Sequence, residues 1–343
     1  MRIRLCRFAR TGLAAFALSS LVVPAFAANC PGNPNAIGTS RTIVVDPTEH
    51  RKIGTMNYAE TLPLVDKEVV LTFDDGPLPP YTDKILDILA AECVKATYFI
   101  VGVMARANPE LVRRVHEDGH TVGTHSLSHP LHFRMLGLAE AKAQVDGGIA
   151  ATAAALGDAQ KVAPFFRFPG FGHSAPVEAY AASRGLMVWG ADAPADDWLR
   201  LSAREVAKRA VRRLEGKGKG ILLLHDIHQR TVDALPILLK ELKANGFRIV
   251  HVQHTTPTRP ATVTAAADWK LNSRSTRSLQ SAPVQAAALA SLSLDGLRLQ
   301  DRSADELCQL EEPPRAKPIM AAAAADRRAK PIRIASPDIH AIR

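Results

Sequence analysis

The sequence predicts an α/β fold: a (β/α) barrel or near-barrel of about seven parallel strands followed by a disordered C-terminal tail. Three observations carry that reading. Between Val69 and His251, short apolar runs rich in β-branched and aromatic residues alternate with stretches whose apolar residues recur at the helical period. About seven such repeats fit into fewer than 200 residues, which points to a closed or nearly closed barrel. Nearly every apolar run also ends in a charged or titratable side chain, and strand ends are where such folds place their chemistry.

Residues 68–73, Glu68 followed by Val69, Val70, Leu71, Thr72 and Phe73, are rich in β-branched and aromatic residues and are stopped by Gly76-Pro77, so they form the opening strand. A helix is expected over 81–94, with Ile85, Leu86, Ile88 and Leu89 inward, and a strand over 96–101. Asn108-Pro109-Glu110 opens the next helix, with Asn as cap and Pro in the first turn, and Asp118-Gly119 closes it. Strands at 121–123, 164–168, 186–190, 220–224 and 248–252 then alternate with helices at 138–156, 176–184, 202–215 and 231–245.

The flanks differ in texture. Arg2, Arg4, Arg7 and Arg10, the apolar run 13–23 and the small-residue site Ala25-Phe26-Ala27 have the three parts of a secretory leader, cleaved before Ala28. The apolar run is shorter than the ~20 residues a membrane span requires, which leaves no transmembrane segment after cleavage and predicts a periplasmic or secreted protein. Residues 28–66, rich in Pro and Gly, read as a lead-in with one strand near 43–45. The catalytic domain is expected at 67–254. Residues 255–343 mix Thr-Pro, Ala runs and scattered Arg with few aromatics, and lack the apolar content to offset chain entropy.

The whole chain carries a formal charge of +9; without the four leader arginines, 39 basic residues face 34 acidic ones. That mild excess suits an anionic polymer such as a cell-wall glycan, and without a basic cluster beside aromatics it gives no case for nucleic acid. The cysteines beyond the leader are Cys30, Cys93 and Cys308, with no C-x-x-C spacing. Cys93, on the apolar face of its helix, reads as a buried thiol, leaving Cys30 and Cys308 able to pair.

The chemistry begins at Thr72-Phe73-Asp74-Asp75-Gly76-Pro77. Side chains alternate along a strand, so the two carboxylates reach one cavity from different sides, and so close together they repel unless a cation or proton shares the site. The alternative is plain turn chemistry, since Asp-Gly-Pro favours turns. His125 and His129 in Thr124-His125-Ser126-Leu127-Ser128-His129-Pro130 lie four apart; if that turn is helical, both rings share one face ~6 Å apart. With an Asp they make a three-ligand, open-position set suited to catalytic zinc. Arg167-Phe168-Pro169-Gly170 closes the Phe165-Phe166 strand with a charge that is costly to bury unless paired, and Asp74 is the obvious acid. Asp192 to Trp198 and Leu222-Leu223-Leu224-His225 complete the series.

These motifs, T-F-D-D-G, H-S-x-x-H, R-x-P, D-W and L-L-H in that order over about 160 residues, resemble those of the polysaccharide deacetylases with the NodB homology domain, carbohydrate esterase family 4. The resemblance covers roughly 69–252. It implies a distorted (β/α) barrel that hydrolytically deacetylates a sugar with one divalent metal ion, Zn2+ first and Co2+, Ni2+ or Mn2+ as alternatives. Carried over, Asp75, His125 and His129 match the ligands and Asp74 the catalytic base. Arg167 would hold Asp74, His225 would be the acid, and Asp197 would orient His225, with Asp196 as rival. The Gly170 N–H would serve the oxyanion, although the family usually has an aromatic residue there. In the fourth motif two acids three apart usually precede the Trp, whereas Asp192 stands five before Asp197. Trp198 reads equally as a sugar-stacking ring or as core. His228 fits a cleft-rim contact better than a ligand, His132 and His173 read as loop residues, His116 and His120 flank a helix end, and Trp189 reads as core.

The expected substrate is an acetylated glycan: an N-acetylated amino sugar in peptidoglycan or a chitin-like oligomer. The alternatives are an O-acetyl esterase on xylan or another acetylated glycan, a non-catalytic glycan-binding barrel, and hydrolysis of a small cyclic amide.

Overall fold

The computed structural model describes residues 30–271. The leader, residues 272–343 and Cys308 lie outside the described residues, and among the described residues no helix is long and apolar enough to cross a membrane. Among the described residues ten strands occur: β1 (Thr39–Val45), β2 (Lys52–Ile53), β3 (Glu68–Asp74), β4 (Thr97–Ile100), β5 (Thr121–Thr124), β6 (Phe165–Phe166), β7 (Met187–Trp189), β8 (Ala193–Pro194), β9 (Gly220–His225) and β10 (Arg248–His254). Seven α-helices among the described residues lie between them: α1 (Tyr81–Ala91), α2 (Gly102–Ala107), α3 (Pro109–Glu117), α4 (Leu138–Leu156), α5 (Ala175–Ser183), α6 (Ala203–Lys217) and α7 (Gln229–Ala244).

Every ladder between these strands is parallel, and the ring runs β7-β6-β5-β4-β3-β9-β8. This is a distorted (β/α) barrel of seven staves. The period of two along each strand decides what faces where. On β3, Val69, Leu71 and Phe73 face outward and pack with Ile85, Leu89, Leu235 and Leu239 of the helical layer. Val70 faces inward, into the barrel interior with Phe99, Phe165, Trp189 and Ile221. Asp74 keeps the inward parity of Val70 and Thr72; by the same count His225 follows Ile221 and Leu223, and Arg167 follows Phe165. The alternation that builds the core thus also aims three reactive side chains into the barrel mouth.

Four expectations are corrected. The last predicted strand, now β10, is not a barrel stave. Val69 pairs with Gly220 on one edge and with Ile249 on the other, so β10 lies on the edge of β3 that β4 takes up further along. There it pairs with β1, and Ile43, Val45, Val250 and Val252 close the bottom of the barrel. The seventh stave is instead the two-residue β8, too short to show a period.

The lead-in is likewise part of the domain. β2 pairs with β7, Gly190 N donates to the Ile53 carbonyl at 2.6 Å, and a Cβ on Gly54 (φ 101°) would lie 2.4 Å from the Gly190 backbone. Asp192, one of the acids before Trp198, holds this segment: it accepts from Thr55 N, Thr55 Oγ1, Thr61 Oγ1 and Ile221 N at 2.5–2.8 Å. Cys93 is not a free thiol; it forms a disulfide with Cys30, tying the start of the lead-in to the end of α1.

The first part of the segment assigned to the tail is ordered. Thr255 N and Thr262 N donate to the Val45 and Val44 carbonyls, Thr61 N donates to the Trp269 carbonyl, and Trp269 is buried with its ring stacked 3.5 Å from that of His50. A buried indole offsets the entropy of a segment otherwise poor in apolar residues. Trp269→Ala is expected to lower unfolding stability by ~3–5 kcal/mol, read from urea denaturation; a surface-like loss below ~0.5 kcal/mol would show that the segment is not anchored there.

Candidate metal centre and catalytic cleft

Asp74 ends β3 in register with Phe99 of β4 and His225 of β9. Its Oδ1 receives the Arg167 guanidinium at 2.6 Å, and both side chains are buried. Arg167 also donates to Thr72 Oγ1 (2.9 Å) and to the Gly190 carbonyl (2.8 Å), and its guanidinium carbon lies 4.2 Å from the Phe99 ring centre. Burial pulls the Arg167 pKa down, opposed by Asp74. The planar fork thus spans the space between β3 and the carbonyls at the end of β7, satisfying groups on both walls.

Asp75, one residue past the strand, has left-handed backbone (φ 80°), uncommon for a residue with a Cβ. The following Gly76 explains the tight turn: its N–H donates to Asp226 Oδ1 at 3.0 Å, and a Cβ there would sit 2.0 Å from Asp226 Oδ2. Asp226 also accepts from Thr82 Oγ1 at 2.6 Å and so clamps the Asp75 loop to α1. Burial pushes its carboxyl up to about 7, against the hydrogen bonds that pull it down. Sequence reading missed this role; the signal is the alternation itself, which turns Asp226 away from the cleft that His225 faces.

His125 and His129 meet Asp75, but not on a helix. The loop after β5 has left-handed Ser126 (φ 66°) and His129 (φ 54°), and Ser126 Oγ accepts from His129 N, a local geometry that brings the ring centres to 4.9 Å. His125 donates Nδ1–H to the Arg167 carbonyl at 2.7 Å, leaving the Nε2 lone pair toward Asp75, and burial depresses its pKa, favouring that neutral form. Nε2 of His125 and of His129 lie 3.4 and 3.2 Å from Asp75 Oδ1, and the three ligand atoms fall within 4.8 Å of one another. Yet Asp75 Oδ1 is buried with no hydrogen-bond partner. A buried carboxylate oxygen that lacks a hydrogen-bond partner is costly without a cation, and two imidazoles and a carboxylate are donors that a divalent ion accepts. The residues present therefore fit a metal.

His225 stands opposite. Asp197, fully buried, accepts from His225 Nδ1 (2.8 Å), His225 N (2.7 Å) and Thr231 Oγ1 (2.7 Å). Burial works against the imidazolium, but the hydrogen bond and charge of Asp197, with Asp75 and Asp74, raise its pKa to about 9. Asp196 points elsewhere, to Arg209 (2.9 Å) and Arg213 (2.8 Å). The two adjacent acids thus divide between the cleft and α6.

Asp74, Asp75, His125, His129, His225, Gly170 and Trp198 share one cleft of about 430 Å³, walled by Met56, Leu131, Phe168, Phe171 and Leu223. Trp198 is 45% exposed, and its ring stands edge-on to His225 at 5.3 Å, a wall and not core. Trp189 is core. His228 is half-buried with its ring 6.2 Å from that of His225, His132 is exposed, and neither joins the ligand set; His116 and His120 line a separate cavity. The wall residues Met56 and Phe171 carried no motif and could not be read from sequence.

Comparisons with known proteins bear on the family and the fold. Residues 62–189 match the polysaccharide deacetylase family. A peptidoglycan-N-acetylglucosamine deacetylase of Bacillus cereus is 30% identical over 196 residues, 56% of this chain and 89% of that protein. The chain belongs to the polysaccharide deacetylase family. Another family member, the peptidoglycan-N-acetylglucosamine deacetylase PgdA of Listeria monocytogenes, is 34% identical over 188 residues, but this chain spans only 38% of its length. Among solved structures, a Bdellovibrio bacteriovorus peptidoglycan deacetylase aligns with a TM-score of 0.57 at 34% identity, covering 64% of this chain and 60% of that one.

Asp197→Asn removes the charge that holds the His225 imidazolium. The His225 pKa, followed by NMR, is expected to fall from about 9 toward the ordinary imidazole range of ~6.5; an unmoved pKa would assign the shift to another group.

Proposed function

We propose that this protein hydrolyses the N-acetyl group of an amino sugar within a polysaccharide, in a metal-dependent reaction. The observation that carries the reading is the division of labour between adjacent aspartates. Asp75 Oδ1 sits between two imidazole nitrogens, whereas Asp74 is engaged through Oδ1 by Arg167 and lies beside the set, with Oδ2 3.7 Å from His125 Nε2. One carboxylate is placed to bind a cation and its neighbour to take a proton beside it.

Asp75, His125 and His129 would hold the ion. When bound, a divalent metal supplies a Lewis acid for the acetyl carbonyl and makes water a nucleophile near neutral pH. Zn2+ suits the donors best, and Co2+, Ni2+ and Mn2+ are compatible with them. Asp74 accepts the proton of the attacking water as general base, its position fixed by the Arg167 guanidinium. The backbone N–H of Gly170, at the cleft wall, is assigned to the developing oxyanion. His225, cationic below about 9, donates a proton to the departing nitrogen, so acetate leaves and a free amine remains. Trp198 offers a face to a sugar ring. The presence of both proton-transfer groups favours an enzyme over a passive glycan-binding barrel. The Cys30–Cys93 disulfide supports an oxidising compartment, periplasmic or extracellular, where such glycans lie.

Acetate release should be measured in parallel on N-acetylglucosamine oligomers, peptidoglycan and acetylxylan. Activity on the first two is expected to vanish on thorough chelation and return with metal; activity unchanged by chelation would overturn the mechanism. Asp74→Asn is expected to keep metal while losing ~10²–10⁴-fold in kcat, whereas His125→Ala loses both, with bound metal counted by elemental analysis. Because the acid must be protonated, turnover should decline as pH rises through about 9; a rate still climbing above that pH would exclude His225 as the acid.

A further inference from the structure

Beside the catalytic cleft lies a second cavity, of about 320 Å³, lined by Leu131, Arg134, Gly170, Phe171, Gly172 and His173. It shares Leu131, Gly170 and Phe171 with the cleft, so a polymer in one continues into the other. The two differ in character. The cleft wall beyond the reactive groups is apolar, whereas the second cavity presents a guanidinium and an imidazole and no acid among its lining residues.

Arg134 is mounted firmly. The preceding Phe133 is buried edge-on against Phe168, and Gly172 packs so closely that a Cβ on it would lie 3.3 Å from Arg134 N. Its side chain is exposed and makes no ion pair among the described residues, although other arginines nearby in sequence are paired: Arg113 with Glu110 and Arg114 with Asp83. His173 is turned by Glu178, whose Oε1 lies 2.7 Å from Nδ1, leaving Nε2 to the other side. Glu178 in turn is held by Tyr58 and Lys52.

Resting on the deacetylase reading above, we propose that this cavity is a subsite for a carboxylate borne directly on the sugar next to the one being deacetylated. Arg134 grips the carboxylate through its guanidinium fork, and the His173 ring, held by Glu178, lines the same cavity. The substrate class this selects is a glycan alternating neutral N-acetylated amino sugars with carboxylate-bearing ones. In cell-wall glycan the ether-linked carboxylate is free only where the peptide is absent, because a peptide converts it to an amide. Peptide-free strands are therefore preferred over peptide-substituted strands and over neutral N-acetylglucosamine oligomers. An oligosaccharide with a ring carboxylate, a uronate, tests whether the ether-linked position matters.

Binding and acetate release are measured separately on the full chain, wild-type, Arg134→Ala and Arg134→Lys, with four ligands: peptide-free strands, the same strands with carboxylates converted to methylamides, neutral N-acetylglucosamine oligomers, and the uronate-containing oligomer. Wild-type protein is expected to bind peptide-free strands about tenfold more tightly than the methylamides, and Arg134→Ala to erase that ratio through KM, with Arg134→Lys restoring part of it. A ratio near one in the wild type, or an Arg134→Ala loss equal on charged and neutral ligands, would overturn the subsite. Carboxylate-dependent binding without acetate release from any ligand would sink the deacetylase reading and leave the subsite standing, while release from all ligands with no carboxylate preference would do the reverse.

Discussion

A guanidinium with no exposed surface lies inside this barrel, 2.6 Å from an equally buried carboxylate, and the rest of the cleft is arranged around that pair. Neither Arg167 nor Asp74 is tolerable there alone, since removing one partner leaves an uncompensated buried charge at a cost of ~3–5 kcal/mol. The pair does three things at once. It joins β3 to the end of β7, where Arg167 also takes the Gly190 carbonyl; it occupies Asp74 Oδ1, leaving Oδ2 beside His125; and the Arg167 carbonyl fixes the His125 tautomer. A structural ion pair and the separation of the two aspartates are therefore one interaction.

The segments outside the alternating pattern support this interior from behind. β1 and β10 close the bottom of the barrel, the disulfide ties the lead-in to α1, and Asp192 gathers Thr55, Thr61 and Ile221 where no helix separates β7 from β8. Met56, carried by that same lead-in, then reaches the cleft wall. A chain cut back to the region bearing motifs would lose both the plug and one wall of the site.

Much of the site was legible because strand parity is a local property. Once 68–73 reads as a strand, Asp74 must share a face with Val70 and Thr72, and His225 one with Ile221 and Leu223, whatever the barrel around them. What was not legible depended on neighbours distant in sequence. Asp226 acquires its role only because Gly76 and Thr82 come within hydrogen-bond reach across some 150 positions. Cys93 looked like a helix-face thiol because nothing local announces Cys30 as its partner, and Trp269 looked like part of a polar tail because the His50 ring that receives it is over 200 residues away.

The sequence by itself determined the parallel α/β class, the placement of reactive groups at strand ends and the identity of the candidate ligands, because hydrophobic period and residue chemistry are carried by short stretches. Only the tertiary structure decided that β8 and not β10 completes the ring, that Asp197 and not Asp196 faces His225, and that the His125 and His129 rings meet through left-handed loop residues and not a helical turn. Each of those outcomes depends on which groups compete for one donor or one edge of a strand, and that competition exists only once the chain has closed on itself.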